Sequence, residues 1–140
     1  MNWIITIKTN SDFAINNGFN IIEADENGMF KSCRLKYGQV FDLEYYYEKG
    51  PVHADIIFDG KRMDLIHSAN FVNGKKPKYE FPKFYWKKRT DSDAEYIKYY
   101  DQILSHELDK ILEWIFKLNN QQWTEFKNYS GNENLRLTGL

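Results

Sequence analysis

Three carboxylates are the side chains best placed to do chemistry in this sequence. Glu44, Asp55 and Asp64 lie in a stretch where polar and apolar residues alternate, as they do along half-buried β-strands. Carboxylates held close together act as general acids and bases, ligate divalent cations, or attract a positively charged partner. Which of these chemistries is available depends on the elements that position the three residues.

The histidines and the lone cysteine do not indicate a catalytic or metal centre. His53, His67 and His106 fall on separate predicted elements, and none is at metal-ligand spacing from another. Because zinc takes about four ligands and no local cluster supplies them, we expect neither a metal nor a cofactor. His67 and Cys33 share the parity of the predicted core residues, which favours a buried, hydrogen-bonded histidine and a cysteine that packs as a small apolar side chain. Phosphate-binding, dinucleotide-binding and nucleophile-elbow motifs are also missing from the sequence, so an enzyme is the weaker class of function.

Turn dipeptides divide residues 19–67 into five predicted strands. Asn27-Gly28 and Asp59-Gly60 are strong hairpin signals, because a type I′ turn needs a positive φ at both central positions. Gly38 and Gly50-Pro51 mark two further reversals. Strands joined by such short loops are antiparallel neighbours, so the predicted sheet is a meander. Residues 3–7, rich in β-branched and aromatic side chains, are predicted to form a further strand.

The turns also predict the register of the sheet. Loops at 37–39, 48–51 and 59–60 place one apolar set on one face, which we expect to be the core face. Since a slip of one residue would turn every side chain to the other face, the agreement between turns and pattern supports this register. The last hairpin pairs Ile56 with Met63 and excludes helix anywhere in 54–65. The predicted core set is Cys33, Leu35, Phe41, Leu43, Tyr45, Tyr47, Val52, Ala54, Ile56, Phe58, Met63 and Leu65.

The same register gathers the three carboxylates in a row across the opposite face. Like charges directly opposite one another destabilise a sheet. A register displaced by two residues, or neutralisation by Arg34, Arg62 and lysines, would explain the row without a function. The alternative is a surface for a cationic partner, in which case reversing the charge of Asp55 should not destabilise the free protein. The candidate partner-binding residues, with Tyr46 as anchor, are Glu44, Tyr46, His53, Asp55, Arg62 and Asp64, with Asp42 and Ile57 as neighbours.

The C-terminal half is predicted to be helical. Ser92 and Glu95 match a capping box, in which each side chain binds a backbone amide of the other residue. Asn119-Asn120 is expected to end this helix, a short helix to follow over 121–129, and residues 130–140 to form a loosely held tail. Apolar residues recur behind Ser92 at spacings of three and four, at Ile97, Tyr100, Leu104, Leu108, Ile111, Ile115 and Leu118.

A helix with one apolar stripe and a sheet with one apolar face bury each other. We therefore predict an α+β fold, an antiparallel meander of five to six strands with a long C-terminal helix packed on one face. The chain is expected to be a single domain over 1–140. Its parts are a β-sheet region (1–67), a basic and aromatic crossing segment (68–91), a helical region (92–129) and the tail (130–140).

The formal charge of −1 conceals an uneven layout, −3 over residues 1–70, +6 over 71–90 and −4 over 91–140. Residues 75–89 mix cations with five aromatic side chains, a combination that suits single-stranded nucleic acid. The competing interpretation, in which the aromatics pack on the sheet and the lysines solvate a loop, is favoured because the acidic flanks repel a polyanion. The candidate nucleic-acid-binding residues are Lys83, Trp86, Lys87, Lys88 and Arg89.

The expected cellular location of the chain and its composition narrow the class of partner that it can bind. No apolar run reaches the roughly 18 residues of a transmembrane helix, and the start has no secretory signal, so we expect no membrane association. A single cysteine is typical of the cytoplasm. This profile of a small, motif-free, aromatic-rich chain with a carboxylate patch resembles that of bacterial toxin-immunity proteins, which cover the basic active site of a nuclease with acidic and aromatic side chains. The resemblance implies a non-catalytic inhibitor of a cationic protein.

Two other classes of function stay open at this point. One is a nucleic-acid-binding or phage-type regulatory protein that acts through residues 75–89. The other is a small enzyme that uses Glu44, Asp55 and Asp64 for acid–base chemistry or metal binding.

Overall fold

Five antiparallel strands in chain order form the sheet of this protein, in a computed structural model that describes residues 3–28, 30–48, 51–83 and 89–138. The predicted α+β meander with a long C-terminal helix is confirmed. The elements are α1 (Trp3–Asn10), α2 (Asp12–Asn16), β1 (Phe19–Asn27), β2 (Phe30–Tyr37), β3 (Phe41–Glu48), β4 (His53–Phe58), β5 (Lys61–Asp64), α3 (Leu65–Val72), α4 (Arg89–Phe116) and α5 (Asn120–Thr138).

The N-terminal segment is helical, so the strand predicted over residues 3–7 is wrong. The helix α1 buries Trp3, Thr6 and Ile7, which follow one another at spacings of three and one, and leaves Ile5 51% exposed. The helix α1 contacts α4 and, to a smaller extent, α2, β1 and β2. Because β propensity describes how well a side chain fits a half-buried pleated surface, packing against a helix overrides it here.

The hairpin between β4 and β5 has the predicted geometry. Asp59 and Gly60 have φ values of +50° and +73°, as a type I′ turn requires. Phe58 pairs with Lys61, and Ile56 pairs with Met63 on the core face. The predicted cross-strand pairing is therefore confirmed.

The strand β5 is shorter than predicted, because helix α3 begins at Leu65. The expectation that no helix occurs in 54–65 thus fails at its last residue. The cause is Asp64, whose Oδ1 accepts a hydrogen bond from the backbone N–H of His67 at 2.8 Å and caps the helix. Leu65 and His67 are nevertheless buried, as their parity suggested.

The loop between β2 and β3 spans residues 38–40 rather than 37–39, since Tyr37 pairs with Phe41. Moving both ends of the loop by one residue changes the pairing of β2 with β3 by two positions. The same side chains of β2 therefore stay on the core face. Cys33 and Leu35 therefore lie on the core face, and both are buried.

The helical region begins earlier and ends later than predicted. Helix α4 starts at Arg89, so Ser92 lies inside it, buried, and is not its N-cap. The apolar stripe is buried from Ile97 to Ile115, and Leu118 follows the end of the helix.

Asn119 lies between α4 and α5 and caps the start of α5. Its Oδ1 accepts a hydrogen bond from the backbone N–H of Gln122 at 2.8 Å at the start of α5. This helix continues to Thr138, through the residues expected to form a tail, with Phe126 buried in the core. Among the described residues, no helix is both long enough and apolar enough to cross a membrane.

Candidate functional site

The candidate site lies on the side of the sheet that faces away from the apolar core, called the open face. Among the strand residues whose side chains the structure describes, the observed register assigns six carboxylates and three cations to this face, an excess of three formal negative charges. The charged side chains described on this face are those of Glu23, Asp25, Asp42, Glu44, Asp55 and Asp64 with Arg34, Lys36 and Arg62; Tyr46, His53 and Ile57 lie among them.

The acidic row has the register predicted from the sequence. Asp55 stands opposite Glu44 on one side and opposite Asp64 on the other. Tyr46 stands opposite His53, and Ile57 stands between Asp42 and Arg62. The row therefore follows from the backbone pairing of the strands. The remaining question is how the repulsion between three adjacent carboxylates is relieved.

Arg62 bridges two members of the row. Its Nη1 donates to Glu44 Oε1 at 2.8 Å and to Asp55 Oδ2 at 3.0 Å, and the guanidinium carbon lies 5.9 Å from the centre of the Tyr46 ring. Arg34 donates from Nη2 to the other oxygen of Glu44 at 3.1 Å, and its Nη1 lies 3.8 Å from Asp42. Of the explanations left open by the sequence, neutralisation by Arg34 and Arg62 is the one that the geometry supports for Glu44 and Asp55.

Asp55 is the most enclosed carboxylate of the row, with 4% of its surface exposed. Burial raises its pKa, while the hydrogen bonds from Arg62 and Tyr46 lower it and favour the charged form. The pKa of Tyr46 is raised, first by burial and then by the neighbouring Asp55 charge. Tyr46 and Asp55 thus form one network with Arg62 and not two independent surface groups.

Asp64 has a structural task as the N-cap of α3. Burial raises its pKa to about 7, with a further contribution from the Asp55 charge, while backbone N–H groups of α3 oppose the shift. A carboxyl with such a pKa is partly protonated near neutral pH. The repulsion between Asp64 and Asp55 is therefore relieved by a proton as well as by Arg62.

Aromatic rings extend the open face beyond the row. Tyr46 stacks on His53 with ring centres 5.3 Å apart, and Phe81 lies 5.7 Å from His53. Phe81 also meets His67, which forms a 2.7 Å hydrogen bond between Nδ1 and Ser130 Oγ. Burial lowers the pKa of both histidines, which favours neutral rings.

Two observations on the described part of the chain bear on catalysis by these groups. No set of three or more His, Cys, Asp or Glu side chains among the described residues could hold a metal ion. Burial raises the pKa of the Cys33 thiol to about 12, which keeps it protonated and a poor nucleophile near neutral pH. An enzymatic role for the carboxylates stays a prediction.

The basic segment, residues 75–89, is described at residues 75–83 and at Arg89. Lys78 Nζ donates to Glu107 Oε1 at 2.6 Å, and the Tyr79 hydroxyl donates to the same oxygen at 2.8 Å. Asn70 forms two 2.9 Å hydrogen bonds with the backbone of Tyr79. These contacts fasten the segment to α4 and α3, whereas the competing interpretation had its aromatic side chains pack on the sheet and its lysines solvate a loop. Of the candidate nucleic-acid-binding residues, Lys83 is exposed, Trp86, Lys87 and Lys88 lie outside the described residues, and Arg89 is described only as the first residue of α4.

Two open-face carboxylates, Glu23 and Asp25, are absent from the set predicted from the sequence. A β-bulge at Ile22 shifts the ladder of β1, so that Glu23 stands opposite Arg34 and Asp25 opposite Ser32. Both carboxylates are exposed, unlike Asp55. The adjacent apolar pair Ile21-Ile22, which breaks the alternation, is the signal that could have located the bulge.

Comparison with family models, with curated proteins and with solved structures finds no match for this chain. Its function is therefore argued from the charge, geometry and exposure of the open face.

Proposed function

We propose that this chain is a non-catalytic binding protein of the toxin-immunity type, which neutralises a cationic, nuclease-like protein in the cytoplasm. The open face is the proposed contact surface, with Tyr46 at its centre. The observation that carries the proposal is the excess of three formal negative charges among the described side chains of that face. The partner-binding residues are Glu44, Tyr46, His53, Asp55, Arg62 and Asp64, extended by Glu23 and Asp25.

The charge of the face suits fast association with a basic protein. Complementary charge steers two proteins together and raises the association rate above that of neutral surfaces. The exposed Glu23 and Asp25 carry no structural task in the described hydrogen bonds and present their charge to solvent. Glu23 and Asp25 therefore attract the partner electrostatically, while the inner carboxylates, Glu44 and Asp55, hold Arg34 and Arg62 in place.

The network around Arg62 makes the face rigid before the partner arrives. Arg62 is fixed by Glu44 and Asp55, and Arg34 is fixed by Glu44 from the other side. Side chains that are already ordered lose less conformational entropy on binding, which favours affinity. The inner carboxylates therefore contribute by positioning cations and aromatic rings rather than by meeting the partner as free charges.

Tyr46 is the proposed anchor of the interface. Its ring is half-buried, stacked on His53 and lying next to the Arg62 guanidinium. Aromatic and arginine side chains at the centre of an interface carry most of its binding energy. The combination of Tyr46 and Arg62 provides both kinds of side chain at one place.

The test is a pairwise binding assay between this chain and the purified proteins encoded by the genes that flank its own. We expect one of them, a basic protein, to form a stoichiometric complex and to lose its activity in it. Tyr46→Ala should weaken that complex by about 30-fold or more, the effect of removing an interface hot spot. Tyr129→Ala, a matched change of a half-buried tyrosine on α5, should leave the affinity unchanged.

Three results would contradict the proposal. One is that no protein from the flanking genes binds. Another is that Tyr46→Ala and Tyr129→Ala, both folded by circular dichroism, weaken binding equally. The third is that a single-stranded oligonucleotide binds this chain as tightly as any protein does, which would favour the nucleic-acid interpretation of residues 75–89.

A further inference from the structure

The strand β1 is an edge of the sheet, since it pairs only with β2. From Ile22 to Asn27 every residue of this strand is exposed. Among the described residues, no backbone group outside the sheet forms a hydrogen bond with the free side of β1. An edge of this kind presents a row of N–H and C=O groups to which another strand can add.

The charge of β1 selects the kind of strand that can add. Its nine residues include Glu23, Asp25 and Glu26 and no cation. Glu26 is partly used within the chain, because its carboxylate accepts from the backbone N–H of Trp3 at 3.3 Å and lies 3.7 Å from Lys31. Glu23 and Asp25 remain exposed on the open face, and opposite charges across neighbouring strands attract.

A small cavity beside the edge provides room for a side chain. It has a volume of about 240 Å³ and is lined by Trp3, Ile4, Ala24, Asp25 and Glu26. An apolar wall next to the Glu26 carboxylate suits the aliphatic stem and charged end of a lysine or arginine. The cavity lies on the core side of β1, whereas Glu23 lies on the open face, so cations on both sides of an added strand would find acidic partners.

We propose that the cationic partner docks by adding an extended, lysine- or arginine-rich segment to β1 as a further strand of the sheet. This inference rests on the proposed function and specifies how the partner binds. Backbone hydrogen bonds along the edge supply affinity, and side chains that meet Glu23, Asp25 and the cavity supply specificity. The regular part of the edge runs from Glu23 to Asn27, because the bulge at Ile22 interrupts the ladder before it.

A second copy of this chain is not the occupant that the edge favours. Pairing of β1 with the same strand of another molecule would bring two sets of three carboxylates together. Like charges on neighbouring strands are destabilising, and bulges and charges on an edge are devices against self-association. A basic strand meets no like-charge repulsion, and the bulge restricts its regular pairing to the part of the edge from Glu23 to Asn27.

The probe for this inference is a peptide of about ten residues that alternates lysine and valine, with N-methyl groups along one edge so that it cannot form fibrils. It is titrated into the full chain labelled with ¹⁵N. We expect the largest amide shift changes and new protection from hydrogen exchange at residues 22–27. The corresponding glutamate–valine peptide should not bind.

Charge variants identify the contact. Glu23→Lys with Asp25→Lys should weaken peptide binding by about tenfold or more, since two attractive pairs become repulsive. Asp109→Lys with Glu125→Lys makes the same change in net charge at exposed positions on α4 and α5 and should leave peptide binding unchanged. The milder pair Glu23→Gln with Asp25→Asn should give an intermediate loss, which separates a local effect from a folding defect.

The outcomes separate this inference from the proposed function. Shift changes centred on Tyr46 and Arg62, absence of peptide binding, or an equal effect of the two lysine pairs would overturn docking at β1 and leave the open-face proposal standing. Binding of a flanking-gene protein that is insensitive to Glu23→Lys with Asp25→Lys would also overturn it. Peptide binding at 22–27 without any flanking-gene partner would support a strand-binding edge and contradict the immunity-type function.

Discussion

Asp55 lies in the middle of a row of carboxylates, yet it is among the most enclosed residues of the sheet. Alternation and turn chemistry were sufficient to predict that Glu44, Asp55 and Asp64 stand side by side. The choice between a repelling row and a bridged one could not be made from the sequence. It depends on the conformations of Arg34 and Arg62, which no pattern of residue types encodes.

Reversing the charge of Asp55 should therefore destabilise the free protein, contrary to the expectation from an unpaired row. Asp55→Lys would place a buried cation beside Arg62 and leave Tyr46 without its acceptor, at a cost of about 3–5 kcal/mol. The free energy of unfolding obtained from urea denaturation measures this loss of stability. The matched control Asp109→Lys, at an exposed position on α4, should change stability little. Wild-type stability of Asp55→Lys would show that the network contributes nothing to folding.

Removing the bridging cation tests the same network from its other side. Arg62→Gln keeps a polar side chain but leaves the enclosed Asp55 without its charged donor, which should lower the free energy of unfolding by about 1–3 kcal/mol. The guanidinium is about half exposed, so solvent screens part of the loss. Arg136→Gln removes an exposed guanidinium that pairs with Glu133 and serves as the control. Equal effects of the two changes would contradict a special role for Arg62.

Asp64 should make stability depend on pH. Its pKa is raised from 3.8 to about 7 by burial, so the folded chain holds a proton that the unfolded chain releases. Where the folded state binds more protons, stability falls as pH rises, here between about pH 4 and pH 7. Asp64→Asn cannot ionise but keeps an oxygen that can cap α3. The difference in unfolding free energy between wild type and Asp64→Asn should therefore shift with pH in that window, and a constant difference would contradict the assignment.

At the scale of elements, the sequence was informative wherever a local signal and the burial pattern agreed. The Asp59-Gly60 turn and the apolar stripe of α4 are such cases, and both are observed. Helix α1 was missed because its β-branched residues fit a strand locally, and its helical form depends on tertiary contacts, chiefly with α4. The start of α3 was missed because Asp64 fits both the end of a strand and an N-cap. The length of α5 was missed because its second half is polar.

Packing of α4 on the sheet is tested by two leucines of one stripe. Leu104 is completely buried, whereas Leu108 lines a surface pocket beside Phe13 and Tyr37 and is 8% exposed. Leu104→Ala should lower the free energy of unfolding by about 2–5 kcal/mol through the cavity it leaves. Leu108→Ala should lower it by less, because solvent fills part of the space. Denaturant unfolding of both variants checks the order, and a larger loss at Leu108 would place the centre of the interface elsewhere.

For the molecule as a whole, a net charge of −1 conceals two different surfaces. The described side chains of the open face carry an excess of three formal negative charges, while the cations of residues 75–83 lie on a segment fastened to α3 and α4. This separation could be predicted in part from the charge layout of the sequence. The contribution of β1 could not, because the bulge at Ile22 decides which side of the sheet Glu23 and Asp25 face.

Making the open face more acidic should speed association with the cationic partner. Lys36 lies on this face opposite Asp42, so Lys36→Glu adds two negative charges to the surface without removing a described ion pair. Lys98→Glu makes the same change in net charge at an exposed position on α4, which packs on the opposite side of the sheet. We expect Lys36→Glu to raise the association rate constant more than Lys98→Glu at about 0.05 M salt, because steering depends on where the charge lies and not only on the total. The difference should vanish near 0.5 M salt, where the screening length is about 4 Å. Stopped-flow association measures both rates, and an equal effect of the two variants at low salt would show that the partner approaches another face.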